Sequence, residues 1–198
     1  MVKLADVPVG KEPGPMAILP DNSQLFVANS GSGNVSAVDL QSYKLLTHMA
    51  SGETPVDLAL KPDGGELFVP NFDSDSVTVI NPYADEVALN LMAGSHPSRA
   101  ILDSSGTFLY VSNFGSNTVS VVRIFDRRVL ASIPVGTGPD ALRLTPDERY
   151  LLVLNALSND LAVVDTRVRS LVTLIPLGLS PRDVAVKTFR SSPAPRER

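Results

Sequence analysis

The residues of this 198-residue chain that could do chemistry are few and mostly polar: Asp57, His96, Arg99 and Asp140, with Glu53, Arg182 and Asp183 beside them. Gathered at one mouth, they would hold a polar or anionic ligand. They could also supply a histidine base with a carboxylate to orient it. An ordinary solvated rim would show the same residue types, so no catalytic residue is assigned. The other histidine, His48, falls in a stretch that reads as an outer strand and is expected at the surface.

Other chemistries find no footing. There is no cysteine, which removes disulfides, thiolate zinc sites and cysteine nucleophiles together. Asn71, Asp73 and Asp75 alternate as calcium ligands can, but no glutamate follows at the spacing of a helix-loop-helix site, so a turn with side-chain caps is expected there. Gly31-Ser32-Gly33 is not followed by a helix that could present its N-terminus to a phosphate, and reads as a flexible loop. No metal and no cofactor is predicted. A net charge of −4 and a pI of about 5.1 offer no basic surface, so nucleic acid is not an expected partner. Residues 1–6 lack the apolar core of a signal peptide, and no apolar run is long enough to cross a bilayer. Neither export nor membrane spanning is expected of the chain as written, and its compartment stays open.

The elements that must position these residues follow from an internal period. Asn29, Asn71, Asn113 and Asn155 are spaced 42 residues apart (29 to 71, 71 to 113, 113 to 155), and Val27, Val69, Val111 and Val153 keep the same step. So do Ser32, Ser74, Ser116 and Ser158. Gly10, Gly52, Gly94, Gly136 and Gly178 recur in one phase, each followed three residues later by a proline: Pro13, Pro55, Pro97, Pro139 and Pro181. No insertion breaks the register, and self-similarity at this period marks a repeat architecture.

Within one unit, Leu58-Ala59-Leu60 precedes the turn Pro62-Asp63-Gly64, in which proline presets φ and glycine accepts a positive one. Leu67-Phe68-Val69 follows, then a polar loop, then the β-branched run Val77-Thr78-Val79-Ile80, then a fourth strand over 87–92. Four short strands in about 40 residues, with no helical apolar spacing, give an all-β fold: a β-propeller of four-stranded antiparallel blades. The blades are expected at about 14–52, 56–94, 98–136 and 140–178. A spare outer strand falls at 4–9, a spare inner strand at 182–189 and a disordered tail at 190–198.

Leu109-Tyr110-Val111-Ser112-Asn113 resembles the Tyr-Val-Thr-Asn signature of the YVTN β-propeller repeats, and Leu25–Asn29, Leu67–Asn71 and Leu151–Asn155 are further copies. The resemblance covers residues 4–189. It implies a propeller of the kind found in surface-layer and lactonase-like proteins, usually a seven-bladed ring and often exported, and it marks fold better than function. This chain has four complete blades, so the reading is an unclosed array whose open edges invite self-association. A piece of a longer protein, a ring completed by another chain and a strained four-blade closure are expected in that order.

In such a meander the Gly-x-x-Pro and Asn-x-x-Ser features share one rim. Residues repeated in every blade, among them Gly52, Gly94, Gly136, Pro55, Pro97, Pro139 and the four asparagines, are read as structural. Function is sought where the copies disagree. Asp57, Arg99, Ala141 and Asp183 occupy one repeat position, and Val56, Ser98, Asp140 and Arg182 the position before it. Two functions are weighed: a non-catalytic scaffold binding a protein, peptide or cell-surface ligand, and a lactonase-like hydrolase acting on a cyclic ester or sugar lactone. The scaffold is preferred, because no nucleophile, metal set or cofactor motif interrupts the repeats.

Overall fold

A computed structural model describes residues 3–187. Sixteen strands form four antiparallel sheets, each a meander in chain order. Blade 1 is β1 (Pro13–Ile18), β2 (Gln24–Asn29), β3 (Asn34–Asp39) and β4 (Lys44–Ala50). Blade 2 is β5 (Ala59–Leu60), β6 (Leu67–Asn71), β7 (Ser76–Asn81) and β8 (Glu86–Leu91). Blade 3 is β9 (Pro97–Leu102), β10 (Phe108–Asn113), β11 (Thr118–Arg123) and β12 (Arg128–Pro134). Blade 4 is β13 (Pro139–Leu144), β14 (Tyr150–Asn155), β15 (Asp160–Asp165) and β16 (Ser170–Pro176).

The middle strands of blades 2 and 3 are buried on both faces because each of these blades lies between two neighbours, whereas an outer strand such as β4 alternates. Three apolar cores result. Phe26, Val35 and Met49 of blade 1 meet Leu67, Val69 and Ile80 of blade 2. Phe68 and Val79 meet Leu109, Val111 and Val122, and Tyr110, Val119, Val121 and Ile133 meet Leu151, Val153 and Val164. No fourth core joins blade 4 to blade 1 among the described residues, so the sheets are not closed into a ring.

The loops repeat as faithfully as the strands. Each blade places a residue in the left-handed region at four equivalent positions; Asn22, Gly64, Gly106 and Glu148, for example, close the turn between its first two strands. β5 is shorter than its counterparts for a local reason. Pro70 holds the place that Ser112, paired with Arg99, holds in blade 3, and proline has no N–H to give the ladder opposite Asp57. Gly31-Ser32-Gly33, expected as a flexible loop, instead forms part of a single 3-10 turn over Ser30–Ser32, closed by Gly33 at φ 60°. Lys11 N–H donates to Ser32 Oγ at 2.7 Å, and this bond helps tie the turn down.

The segments flanking the blades do not form the spare strands expected at 4–9 and 182–189. Residues 3–9 and 181–187 carry no strand, because the middle strands that would pair with them are not in the chain. Val7 nevertheless stands one period before Met49, and with Val9 it is half-buried in a groove shared with Leu25, Val27 and Val38. At the other end, Ser180 N–H donates to Asn159 Oδ1 at 2.8 Å, as Gly138 N–H does to Asn117 Oδ1 at 3.0 Å. The tail expected to be disordered at 190–198, and residues 188–189 of the inner segment, lie outside the described residues.

Blade 4 shows what an uncovered face looks like. Leu152, Leu161, Val163 and Ile175 stand one period after Tyr110, Val119, Val121 and Ile133. The earlier four are at most 4% exposed, whereas Ile175 is 44% exposed and the other three are half-buried.

Candidate functional site

The two repeated rim features form one structure. Asn29, Asn71, Asn113 and Asn155 are fully buried at the ends of β2, β6, β10 and β14. Each amide donates across the hairpin: Asn29 to Asn34 Oδ1 and Ser36 Oγ, both at 2.8 Å, Asn71 to Thr78 Oγ1 at 2.8 Å, Asn113 to Ser120 Oγ at 3.0 Å, and Asn155 to Asp160 Oδ1 at 2.6 Å. Each Oδ1 is buried without a partner, so these asparagines act through their donors. The glycine of the preceding junction lies directly over the amide: a Cβ on Gly52 would stand 2.8 Å from Asn71 Cβ and 2.9 Å from its Cγ. The repeat serine closes the unit. Ser32, Ser74, Ser116 and Ser158 each accept the N–H of the residue after that glycine, at 2.7, 3.0, 3.4 and 2.8 Å.

His96 belongs to this rim and not to the charged cluster expected for it. It occupies a left-handed junction position at φ 49°, shared with Glu12, Thr54, Gly138 and Ser180. Its N–H donates to Asp75 Oδ1 at 2.7 Å, a bond that holds the Asp75 carboxyl below its ordinary range, and its ring meets the Phe72 ring edge-on at 4.8 Å. The carboxylate beside its Nδ1 is therefore Asp75, at 3.8 Å, rather than Asp57 or Asp140. Glu53 is exposed on the same rim, where its carbonyl accepts the Asp73 N–H. Asp73 itself accepts Thr54 Oγ1 at 2.5 Å, so the side chains of Asn71, Asp73 and Asp75 are all engaged in turn and hairpin bonds. His48 is exposed on β4, with its Nδ1 2.9 Å from Ser36 Oγ.

The other predicted residues do come together, on the wall formed by the first strands. A cavity of about 440 Å³ is lined by Asp57, Arg99, Arg143, Arg182 and Asp183. A second cavity, of about 420 Å³, draws on all four blades and is lined by Pro15, Pro55, Phe72, Ser98, Arg99, Phe114 and Asp140. Arg99 lines both. One of its donors, Nη1, reaches Val56 O at 3.0 Å in the neighbouring blade, and Asp57 accepts the Ala100 N–H at 3.0 Å in return. Burial pushes the Asp57 carboxyl above its ordinary range, against the lowering pull of that N–H and of the Arg99 charge.

Three contributors escaped the sequence reading. Arg143 stands where the other copies have Ala17, Ala59 and Ile101, so its charge was a visible exception. Phe72 and Phe114 immediately follow the repeat asparagine, where blades 1 and 4 have Ser30 and Ala156. Their rings lie 5.9 Å apart, tilted by 54°.

A YNCE-like β-propeller family model matches residues 88–194. No curated protein matches the chain. Among solved structures, hydrazine synthase of Kuenenia stuttgartiensis superposes with a TM-score of 0.77 at 25% identity, over 88% of this chain and 52% of that one. A protein of unassigned function from Desulfotomaculum acetoxidans gives 0.75 at 19% identity, over 89% and 61%. A candidate 6-phosphogluconolactonase of Bacteroides uniformis gives 0.70 at 17% identity, over 84% and 55%. The chain thus spans little more than half the length of these structures, and the last two likenesses speak to fold alone. No helix among the described residues is long and apolar enough to cross a membrane.

Proposed function

The chain belongs to the YNCE-like β-propeller family, and from that premise we propose that it is a non-catalytic binding module whose protein, peptide or cell-surface ligand seats on the first-strand wall at Asp57, Arg99 and Asp140. One observation carries the reading. The repeated polar residues of the rim are engaged with one another, whereas the residues that differ between blades converge on two cavities, where Asp140 has no partner among the described residues and Arg99 keeps donors beyond its bond to Val56 O. A rigid scaffold presenting variable polar groups is a binding surface. The hydrolase reading loses its histidine, since His96 is held by Asp75 and Phe72 and lines neither cavity.

The test is capture of a partner by the immobilised chain, compared with the combined variant Asp57→Asn, Arg99→Gln, Asp140→Asn, shown to melt cooperatively at or above the wild-type temperature. Capture lost in the variant supports the proposal. Capture by both, capture by neither, or turnover of a sugar lactone by the wild type overturns it. The open blade faces support a further part of the reading, that the wall is completed in a larger ring. A defined oligomer by light scattering is expected of the isolated chain, and a well-folded monomer would count against it.

A further inference from the structure

Resting on the binding reading, the geometry points to a specific ligand chemistry for the cavity between Arg99 and Asp140: we infer that it takes a zwitterionic α-amino acid with an apolar side chain, carboxylate on Arg99 and ammonium on Asp140.

The argument begins with what these two side chains leave undone. Arg99 is half-buried, spends one N–H on Val56 O and feels the Asp57 carboxyl across the neighbouring cavity, yet it forms no direct ion pair among the described residues and keeps donors to spare. Asp140 is half-buried too, and makes neither a hydrogen bond nor an ion pair among them. Withdrawing charges from water is costly unless something compensates them. Opposite charges that line one cavity without meeting leave room for a molecule that bridges them, with an acceptor for the guanidinium and a donor for the carboxylate. Ser98, in the same lining, does not serve either one, because its Oγ donates to Pro139 O at 2.8 Å and contacts Ser112 Oγ at 3.0 Å.

The rest of the lining selects the body of the ligand. Phe72, Phe114, Pro15, Pro55 and Val56 give the cavity apolar walls. The two tilted phenyl rings, packed against each other, offer an apolar wall for a flat or branched side chain, and a ring face also attracts an ammonium group. A volume of about 420 Å³ holds one amino acid with space for ordered water. A simple anion would satisfy Arg99 but meet Asp140 with like charge, and a simple amine would do the reverse. A zwitterion with an apolar side chain matches the whole lining.

The experiment titrates L-phenylalanine into the full chain and follows the amide resonances of Ser98, Arg99 and Ala100 by NMR. Saturable binding is expected, weakened by roughly tenfold or more in Arg99→Gln and in Asp140→Asn, since each variant removes one charge-assisted contact. Phenylacetate should lose affinity only in Arg99→Gln, and phenethylamine only in Asp140→Asn. That crossed pattern cannot arise from a merely structural effect of either substitution. No saturable shift with phenylalanine overturns the inference. So does unchanged affinity in both variants, or saturation of the same amides by D-glucose, which would mark the cavity as a polyol site. If partner capture depends on the wall while phenylalanine does not bind, the binding reading stands and this inference alone falls. If phenylalanine binds while capture fails, the inference stands without it.

Discussion

The rim and the inner wall are built from the same repeat, less than one strand's length apart, and they treat polar groups in opposite ways. On the rim, the amide donors of each asparagine, the hydroxyl of each serine and the space over Gly10, Gly52, Gly94 and Gly136 are used by a neighbour in the same structural unit. On the wall, among the described residues, Arg99 keeps most of its donors, Asp140 keeps all its acceptors, and Asp57 is held in a site that disfavours its charge. Groups that a fold has satisfied internally hold it together, while groups left unsatisfied in a concavity are available to something else. Substitutions should therefore separate the two regions, with rim changes costing stability and wall changes costing little or none.

The largest effect is expected at Asn155, whose amide donates to Asp160 Oδ1 at 2.6 Å from a fully buried position. Asn155→Asp keeps the shape but sets two carboxylates against each other, at a cost of about 3 kcal/mol or more at neutral pH. Like charges so close raise a carboxyl pKa in the fold, so the loss should shrink as pH falls, and urea melts at pH 7 and pH 4 would show it. The next effect comes from one repeat position in two environments. Gly52→Ala drives a Cβ into Asn71 and should cost about 2–3 kcal/mol. Gly178→Ala, with nothing within 4 Å of its added carbon among the described residues, should cost nothing measurable. Equal effects in the two would break the claim that the glycine exists for the asparagine beneath it.

These residues also show where the sequence was legible. A strict 42-residue period of Asn, Ser, Gly and Pro declared blade count, strand order and the shared rim, because every blade must solve the same loop-closing problem with the same atoms. The wall was half legible. Asp57, Arg99 and Asp140 stood out as the positions where copies disagree, and Arg99 shares one cavity with Asp57 and another with Asp140. His96 stood only beside those positions in the sequence and does not join them, since a left-handed junction turns it onto Phe72 and Asp75, and a backbone angle cannot be read from a repeat whose other members at that position are Glu12, Thr54, Gly138 and Ser180. The flanking segments were misread as strands because their pattern is that of a strand, whereas a strand also needs partners to pair with.

Asp57 sharpens the comparison from the wall side. Its folded pKa is raised, so its contribution favours the fold below the ordinary carboxylate range and is lost as pH rises through the raised value. At neutral pH the ionised group is a net cost. Asp57→Asn can still accept the Ala100 N–H, and it should raise the melting temperature at pH 7 by roughly 2 °C while leaving it unchanged or lower at pH 3. Partner capture should fall in the same variant. A lower melting temperature at pH 7 would place Asp57 with the structural residues.

The smallest effect returns to the rim, where hydrogen-bond donors find partners at the expense of backbone strain. Thr54 sits at φ 54°, a conformation that a β-branched residue adopts only under constraint, and its hydroxyl bond to Asp73 is exposed. At the equivalent position blade 4 uses Gly138, which meets the same requirement without a Cβ penalty. Thr54→Gly should therefore gain about 0.5 kcal/mol in urea melts, the relief of strain exceeding the lost surface bond and the added freedom of the unfolded chain. A loss instead would mean that the Thr54–Asp73 bond anchors the junction. The loop carrying Phe72 would then depend on a side-chain contact at the rim, and the aromatic side of the Arg99–Asp140 cavity would be tied to the rim rather than to the inner strands alone.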